Sequence, residues 1–150
     1  MRNLFTGASS FTGYWFVREL VAAGHEVVAA CRGDSRYEGL RAERMRRVRE
    51  LCEVRFDCAF GNDDFLALTK TPFDVLCHHG AEVGDYRSPD FDPYRAAAAN
   101  LHRLSEALRA LKTGVRASGA DWHLLWSRTR VPAPVGPFGG DQAQRAGAHV

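Results

Sequence analysis

Residues 3–13, Asn-Leu-Phe-Thr-Gly-Ala-Ser-Ser-Phe-Thr-Gly, pass from a short apolar segment through a turn of small residues into an amphipathic stretch, Phe11 to Ala23, that closes on Gly24. That order spells strand, tight turn, helix. Such a turn aims several backbone N–H groups and the positive end of a helix dipole at one point, which suits an anion and above all a pyrophosphate. Gly7 takes the backbone angles of the turn, and Gly13 lets the helix lie close to the strand. Ser10 stands where a turn of this spacing usually carries another glycine, and its hydroxyl is a candidate donor to a phosphate oxygen. Alone the pattern is weak, because Gly and Ser also populate ordinary turns.

The next residues supply the context that the turn needs. Glu26-Val-Val-Ala-Ala-Cys31 is a near-continuous apolar run of strand length, the kind a parallel sheet buries on both faces. Strand, helix and strand within about 30 residues make a βαβ unit with the glycine turn at its first corner. In such a unit the end of the second strand meets the ribose of a bound dinucleotide. An acidic residue there suits the free hydroxyls of NAD, whereas an arginine matches the charge and fork of a 2′-phosphate. Here Arg32 follows the strand, which favours NADP; Asp34, two residues on, keeps NAD as the alternative.

Residues 35–51 carry helix formers, with Leu40, Met45, Val48 and Leu51 on one side. Glu53 to Cys58 reads as a third strand, and Asp57 falls at its C-terminal end, the edge where open α/β sheets bind ligands. Asp63 and Asp64 are candidate caps for a short helix over Phe65 to Lys70. Pro72 to His78 reads as a fourth strand, followed by His79-Gly80-Ala81, whose small residues let backbone approach a ligand. His78 and His79 lie on opposite faces of a strand, so the pair is a poor metal site. Val83 to Asp92 reads as a loop. Asp92 then caps a helix with Pro93 at its first position that runs to about Lys112, and Asn100 in its middle needs a backbone partner or a place in a site network.

Composition narrows the class. A chain of 150 residues fits one domain and buries about two thirds of its unfolded surface. The net charge of +2 does not call for nucleic acid, and Arg41, Arg44, Arg46, Arg47 and Arg49, interleaved with Glu43 and Glu50, read as a solvated helix face. Cys31, Cys52, Cys58 and Cys77 have no Cys-x-x-Cys spacing and sit in or beside apolar runs, which predicts buried free thiols in a reducing compartment. With no secretory leader and no apolar run approaching the roughly 20 residues of a membrane span, the expected location is the cytoplasm.

Taken together, the segments Thr6-Gly-Ala-Ser-Ser-Phe-Thr-Gly13, Asp57-Cys58, Asp74-Val-Leu-Cys-His-His-Gly-Ala81 and the helix residue Asn100 resemble the extended short-chain dehydrogenases/reductases, specifically their NAD(P)-dependent epimerase/dehydratase branch. The resemblance covers residues 1–112. It implies a Rossmann-like doubly wound parallel sheet with Gly7, Ser9, Ser10, Phe11 and Gly13 around the pyrophosphate, Arg32 near the 2′-phosphate, and Asp57 with Cys58 near adenine. It also implies that His79, Gly80 and Ala81 line the path to the nicotinamide-side ribose and that Asn100 supports the active-site hydrogen bonds. Members of the branch act on a sugar-like carbinol through a tyrosine whose phenol is made acidic by a lysine four residues later. The tyrosines here are 14, 37, 86 and 94, and the residues four positions on are Arg18, Arg41, Asp90 and Ala98. No catalytic residue is assigned.

From Gly114 the sequence changes character. Gly114 to Gly119 reads as a possible entry to a fifth strand, Trp122 to Trp126 as one strand or turn, and the Pro- and Gly-rich remainder as an irregular tail, so residues 113–150 are set apart from the 1–112 domain. A one-base shift within the codons of Asp121-Trp-His123 would encode Thr or Ile, then Gly, then Thr or Ile, which is how a fifth strand in this family tends to finish. The expectation is the NAD(P)-binding domain of an epimerase/dehydratase-type oxidoreductase, truncated and without the Tyr-x-x-x-Lys pair, with a non-catalytic dinucleotide-binding or sensing module and a frame-disrupted, functionless product as the alternatives. The substrate and the oligomeric state are not legible.

Overall fold

The computed structural model describes residues 1–82, 84–118 and 123–124. Its elements are β1 (Arg2–Thr6), α1 (Phe11–Ala22), β2 (Glu26–Ala30), a single 3-10 turn (Asp34–Arg36), α2 (Gly39–Leu51), β3 (Glu53–Arg55), α3 (Asp63–Leu68), β4 (Val75–His78), α4 (Pro93–Asn100), α5 (Leu104–Ser118) and β5 (His123–Leu124). The strands form one parallel sheet in the order β3-β2-β1-β4-β5. Strand order reverses at β1, so the turns after β1 and β4 open a crevice at the C-terminal edge of the sheet, where doubly wound folds bind ligands.

Alternation along the strands builds two cores. Leu4, Val28, Ala30 and Leu76 pack with Phe65 of α3 and with Ala107 and Leu111 of α5 on one face. Phe5, Val27 and Ala29 pack with Val17 of α1 and with Met45 and Val48 of α2 on the other. Because both faces are covered, β2 reads in the sequence as a near-continuous apolar run rather than as an alternating one.

Several local expectations are corrected. The helix expected from Asp92 to Lys112 is two helices: α4 stops at Asn100, and Arg103 takes a left-handed φ of 53° before α5 begins. Three contacts hold that bend, as the Arg103 guanidinium bonds the Asp63 carboxylate (2.7 Å), the Glu106 carboxylate (2.9 Å) and the Gly61 carbonyl (3.3 Å). Since α5 continues to Ser118, Gly114 to Ser118 is helix rather than the entry to a strand. The fifth strand is His123–Leu124, paired with Val75 and Leu76 of β4. Trp122, Leu125, Trp126 and the rest of the expected irregular tail lie outside the described residues.

The first turn of α3 is capped by Asn62, whose side chain accepts from the Phe65 N–H, and not by Asp63 or Asp64. Residues 35–38 precede α2 instead of starting it, and Leu40 faces solvent at 78% exposure while Met45 and Val48 carry the helix into the core. The cap assigned to Asp92 is present: its carboxylate accepts from the N–H groups of Tyr94 and Arg95.

Candidate functional site

The turn from β1 into α1 is shaped by two close backbone approaches. Gly7 has φ +82°, and a Cβ there would stand 2.5 Å from the Gly80 nitrogen. A Cβ on Gly13 would stand 2.1 Å from the Gly7 carbonyl oxygen. Neither position admits a side chain. Ser10, by contrast, has φ −70° and ψ 164°, angles open to any residue, which is why the missing glycine does no harm to the turn.

The Ser10 hydroxyl, the candidate phosphate donor, is engaged within the turn. It donates to the Gly7 carbonyl and accepts from the Gly13 N–H, both at 2.9 Å, and thereby caps α1. The Ser10 N–H is also spent on the Gly7 carbonyl at 3.1 Å. The Phe11 and Thr12 N–H groups, at the first two positions of α1, take no partner among the described residues. From α2, Arg44 reaches across and donates Nε–H to the Ser9 carbonyl at 2.8 Å, pinning the turn from outside.

An open cleft of ≈ 230 Å³ lies beside this turn. Of the twelve residues named from the sequence, eight line it: Gly7, Ser9, Ser10, Arg32, His79, Gly80, Ala81 and Asn100. Phe11, Gly13, Asp57 and Cys58 do not. Phe11 is exposed on α1, Gly13 is packed under the turn, and Cys58 belongs to the core. Asp57 takes φ 58° in the bend after β3, with Oδ1 2.8 Å from where a Gly33 Cβ would sit.

The cleft also gathers residues that sequence reasoning missed. Arg36, Arg41 and Tyr37 line it along with Thr6, Ala59, Phe60, His78, Glu82 and Ala99. Three arginines thus face a single carboxylate, Glu82, among the lining side chains. Arg41, expected on a solvated face, is exposed and also borders the cleft; Arg46 and Arg47 pair with Glu43 and Glu50, while Arg44 is half-buried and bonds the Ser9 carbonyl. No sequence pattern marks Arg36 and Arg41, because the bend between β2 and α2 decides where they go. Asp34 is engaged by Arg49 of α2 and stands outside the cleft lining.

The floor is a hydrogen-bonded chain. Thr6 Oγ1 and His78 Nδ1 are 2.8 Å apart, and His78 Nε2 lies 3.1 Å from the Asn100 carbonyl. Since a carbonyl only accepts, Nε2 carries the proton in the neutral ring and Nδ1 accepts from Thr6. Thr6 Oγ1 also accepts from the Gly80 N–H at 3.0 Å. Phe60 stacks on the His78 ring at 3.7 Å, and burial lowers the His78 pKa below the usual imidazole value. His79 turns to the other face, 2.8 Å from Thr12 Oγ1 and edge-on to Phe16, and burial lowers its pKa as well. Asn100 is at the C-terminal end of α4, not mid-helix, and its amide clasps Glu82 by donating to the Glu82 carbonyl and accepting from the Glu82 N–H.

The four cysteines are free. Burial pushes the Cys31 thiol up to about 12 and the Cys52 thiol up to about 11, so neither is a ready nucleophile. Among the described residues no helix is long and apolar enough to cross a membrane, and no cluster of three His, Cys, Asp or Glu side chains could hold a metal.

No protein-family model matches the chain, and no curated protein is similar to it in sequence. Solved structures share its fold. A serine dehydrogenase complexed with NADP+ matches at 16% identity and a TM-score of 0.56, over 83% of this chain and 52% of that one. A short-chain dehydrogenase from Sphingobium yanoikuyae in complex with NADPH matches at 19% identity and 0.51, over 80% of this chain and 50% of that one. A UDP-glucose-4-epimerase from Stenotrophomonas maltophila, solved with NAD and formylated UDP-arabinopyranose, matches at 24% identity and 0.51, over 80% of this chain and 34% of that one. The chain spans about half the length of the dehydrogenases it matches. Over that span it carries the α/β, Rossmann-like fold of the short-chain dehydrogenases/reductases.

Proposed function

We propose that the chain is the dinucleotide-binding portion of an epimerase/dehydratase-type oxidoreductase, with residues 1–112 as the binding unit and NADP(H) preferred over NAD(H). The observation that carries this reading is the composition of one cleft, lined by a glycine turn too tight for a side chain and by Arg32, Arg36 and Arg41, with the helix that follows the turn leaving its first two N–H groups without a partner among the described residues. Free amides after the glycine turn and a surplus of guanidinium in the cleft lining suit a ligand with a pyrophosphate and a separate phosphate monoester. The removal of Asp34 from the lining by Arg49 favours the phosphorylated cofactor further.

When bound, a nicotinamide dinucleotide supplies hydride acceptance or donation. The chain's own residues hold and orient it. Gly7 and the start of α1 receive the pyrophosphate, Arg32 faces the 2′-phosphate, and the Gly80 and Ala81 backbone lies beside the nicotinamide-side ribose, with His79 and Asn100 supporting that edge. The partner is a small carbinol or carbonyl compound rather than nucleic acid or membrane, and free cysteines favour the cytoplasm.

Titration followed by NADPH fluorescence tests the reading. Saturable binding is expected, roughly tenfold tighter for NADPH than for NADH, with Arg32→Ala removing most of that gap. Failure of both dinucleotides to bind would refute it. A second reading, a binding or sensing module without catalysis, is favoured by one observation: no tyrosine in the sequence is followed four residues later by lysine. Hydride transfer from NADPH to a panel of sugar-like ketones separates the two.

A further inference from the structure

We propose that Glu82 is a cofactor-selecting residue: its carboxylate occupies the Arg32 guanidinium and is displaced by a 2′-phosphate, while a cofactor with a free 2′-hydroxyl leaves the pair closed. This inference rests on the dinucleotide reading above.

Arg32 follows β2 and Glu82 follows β4, the two strands that flank β1, so their side chains meet across the cleft. Arg32 Nη2 and Glu82 Oε2 are 2.9 Å apart. Both backbones are fixed. The Arg32 N–H donates to the Tyr37 hydroxyl at 3.1 Å, and the Glu82 peptide is clasped on both sides by the Asn100 amide. Opening the pair therefore takes side-chain rotation alone, with no movement of β2 or β4.

The pair is also weak by construction. Its side chains are 51% and 49% exposed, and water competes for exposed ion pairs. A phosphate dianion offers the guanidinium more charge and a better bidentate match than the carboxylate does. Arg36 and Arg41 line the same cleft and make no ion pair among the described residues, so the incoming phosphate meets cations that Glu82 does not engage. Glu82 thus lowers NADP(H) affinity by competing for Arg32. It screens the same arginine when NAD(H) binds.

The test uses the full 150-residue chain, with NADPH and NADH titrated in parallel against the unmodified protein, Glu82→Gln, Glu82→Ala and the double variant Arg32→Gln/Glu82→Gln. Both Glu82 variants are expected to tighten NADPH by roughly two- to fivefold while changing NADH by less, as befits loss of one exposed competitor. The double variant is expected to lose that gain, and added salt is expected to narrow it. If NADPH binds the unmodified protein but the Glu82 variants leave the NADPH-to-NADH ratio unchanged or reduce it, the inference is overturned and the dinucleotide reading stands. If no chain binds either dinucleotide, both fall together.

Discussion

Thr6 of β1 and His78 of β4, residues paired in the sheet register, are joined by a 2.8 Å hydrogen bond in which the imidazole is the acceptor. The neutral ring satisfies Thr6 and Asn100 at once. A protonated ring would present a second donor to a hydroxyl that already receives the Gly80 N–H. Burial lowers the pKa of His78, and of His79 beside it, below the unfolded value near 6.5. A group whose folded pKa is depressed contributes stability that is complete above its unfolded pKa and is lost as pH falls through that value toward the folded one. Thermal melts from pH 7.5 to 5 should show a falling Tm across this window, above the carboxylate range. His78→Gln should make the slope shallower; an unchanged slope would contradict the assignment.

Gly7→Ala tests the close approach of the β1 and β4 loops. The new methyl meets backbone at Gly80 that has no flexible end to move, and the φ of +82° is itself unfavourable for alanine. A loss of about 2–4 kcal/mol is expected in urea unfolding. Weaker NADPH binding in whatever fraction stays folded is expected too.

Ser10 allows the cap and the phosphate role to be told apart. Because its hydroxyl is shared between the Gly7 carbonyl and the Gly13 N–H, Ser10→Ala should cost about 1 kcal/mol of stability, and Ser10→Gly only a few tenths. Neither change should alter NADPH affinity by more than about twofold once the protein is folded, since no phosphate contact is removed. A loss of affinity much larger than that in Ser10→Gly would return the hydroxyl to the ligand.

Thiol titration probes the cores directly. With burial raising all four cysteines, and Cys31 as far as about 12, a disulfide reagent at pH 8 should react slowly with the native protein and rapidly after addition of guanidinium. Fast labelling of Cys31 under native conditions would mean that the β2 end opens readily.

The sheet was legible in the sequence because β2 and the centres of β1 and β4 are buried and carry apolar residues in succession, and because Gly7, Gly13 and Gly24 sit where backbone geometry demands them. The break between α4 and α5 was not. Residues 101–103 contain neither Gly nor Pro, and the left-handed Arg103 is held by Asp63 and Gly61, roughly forty residues away in the chain. The same holds for the cap of α3, where Asn62 and two aspartates are all chemically suitable and position alone decides. Of the residues named from linear motifs, Gly7, Ser9, Ser10, Arg32, His79, Gly80, Ala81 and Asn100 border one cleft, whereas Phe11, Gly13, Asp57 and Cys58 stand outside its lining. Arg36, Tyr37 and Arg41 could not be foreseen, since the 3-10 turn and the delayed start of α2 place them.

The Gly7 loop rests on Gly80, and Thr6 is tied to His78 and to the Gly80 amide, partners more than seventy positions downstream. The β1 corner therefore cannot reach its finished shape on its own. During synthesis it must wait until β4 has left the ribosome and docked, and closing so long a stretch of chain is slow relative to making α1. A nascent chain halted before residue 80 would hold α1 between the parallel strands β1 and β2, with the glycine turn still lacking the backbone it rests on.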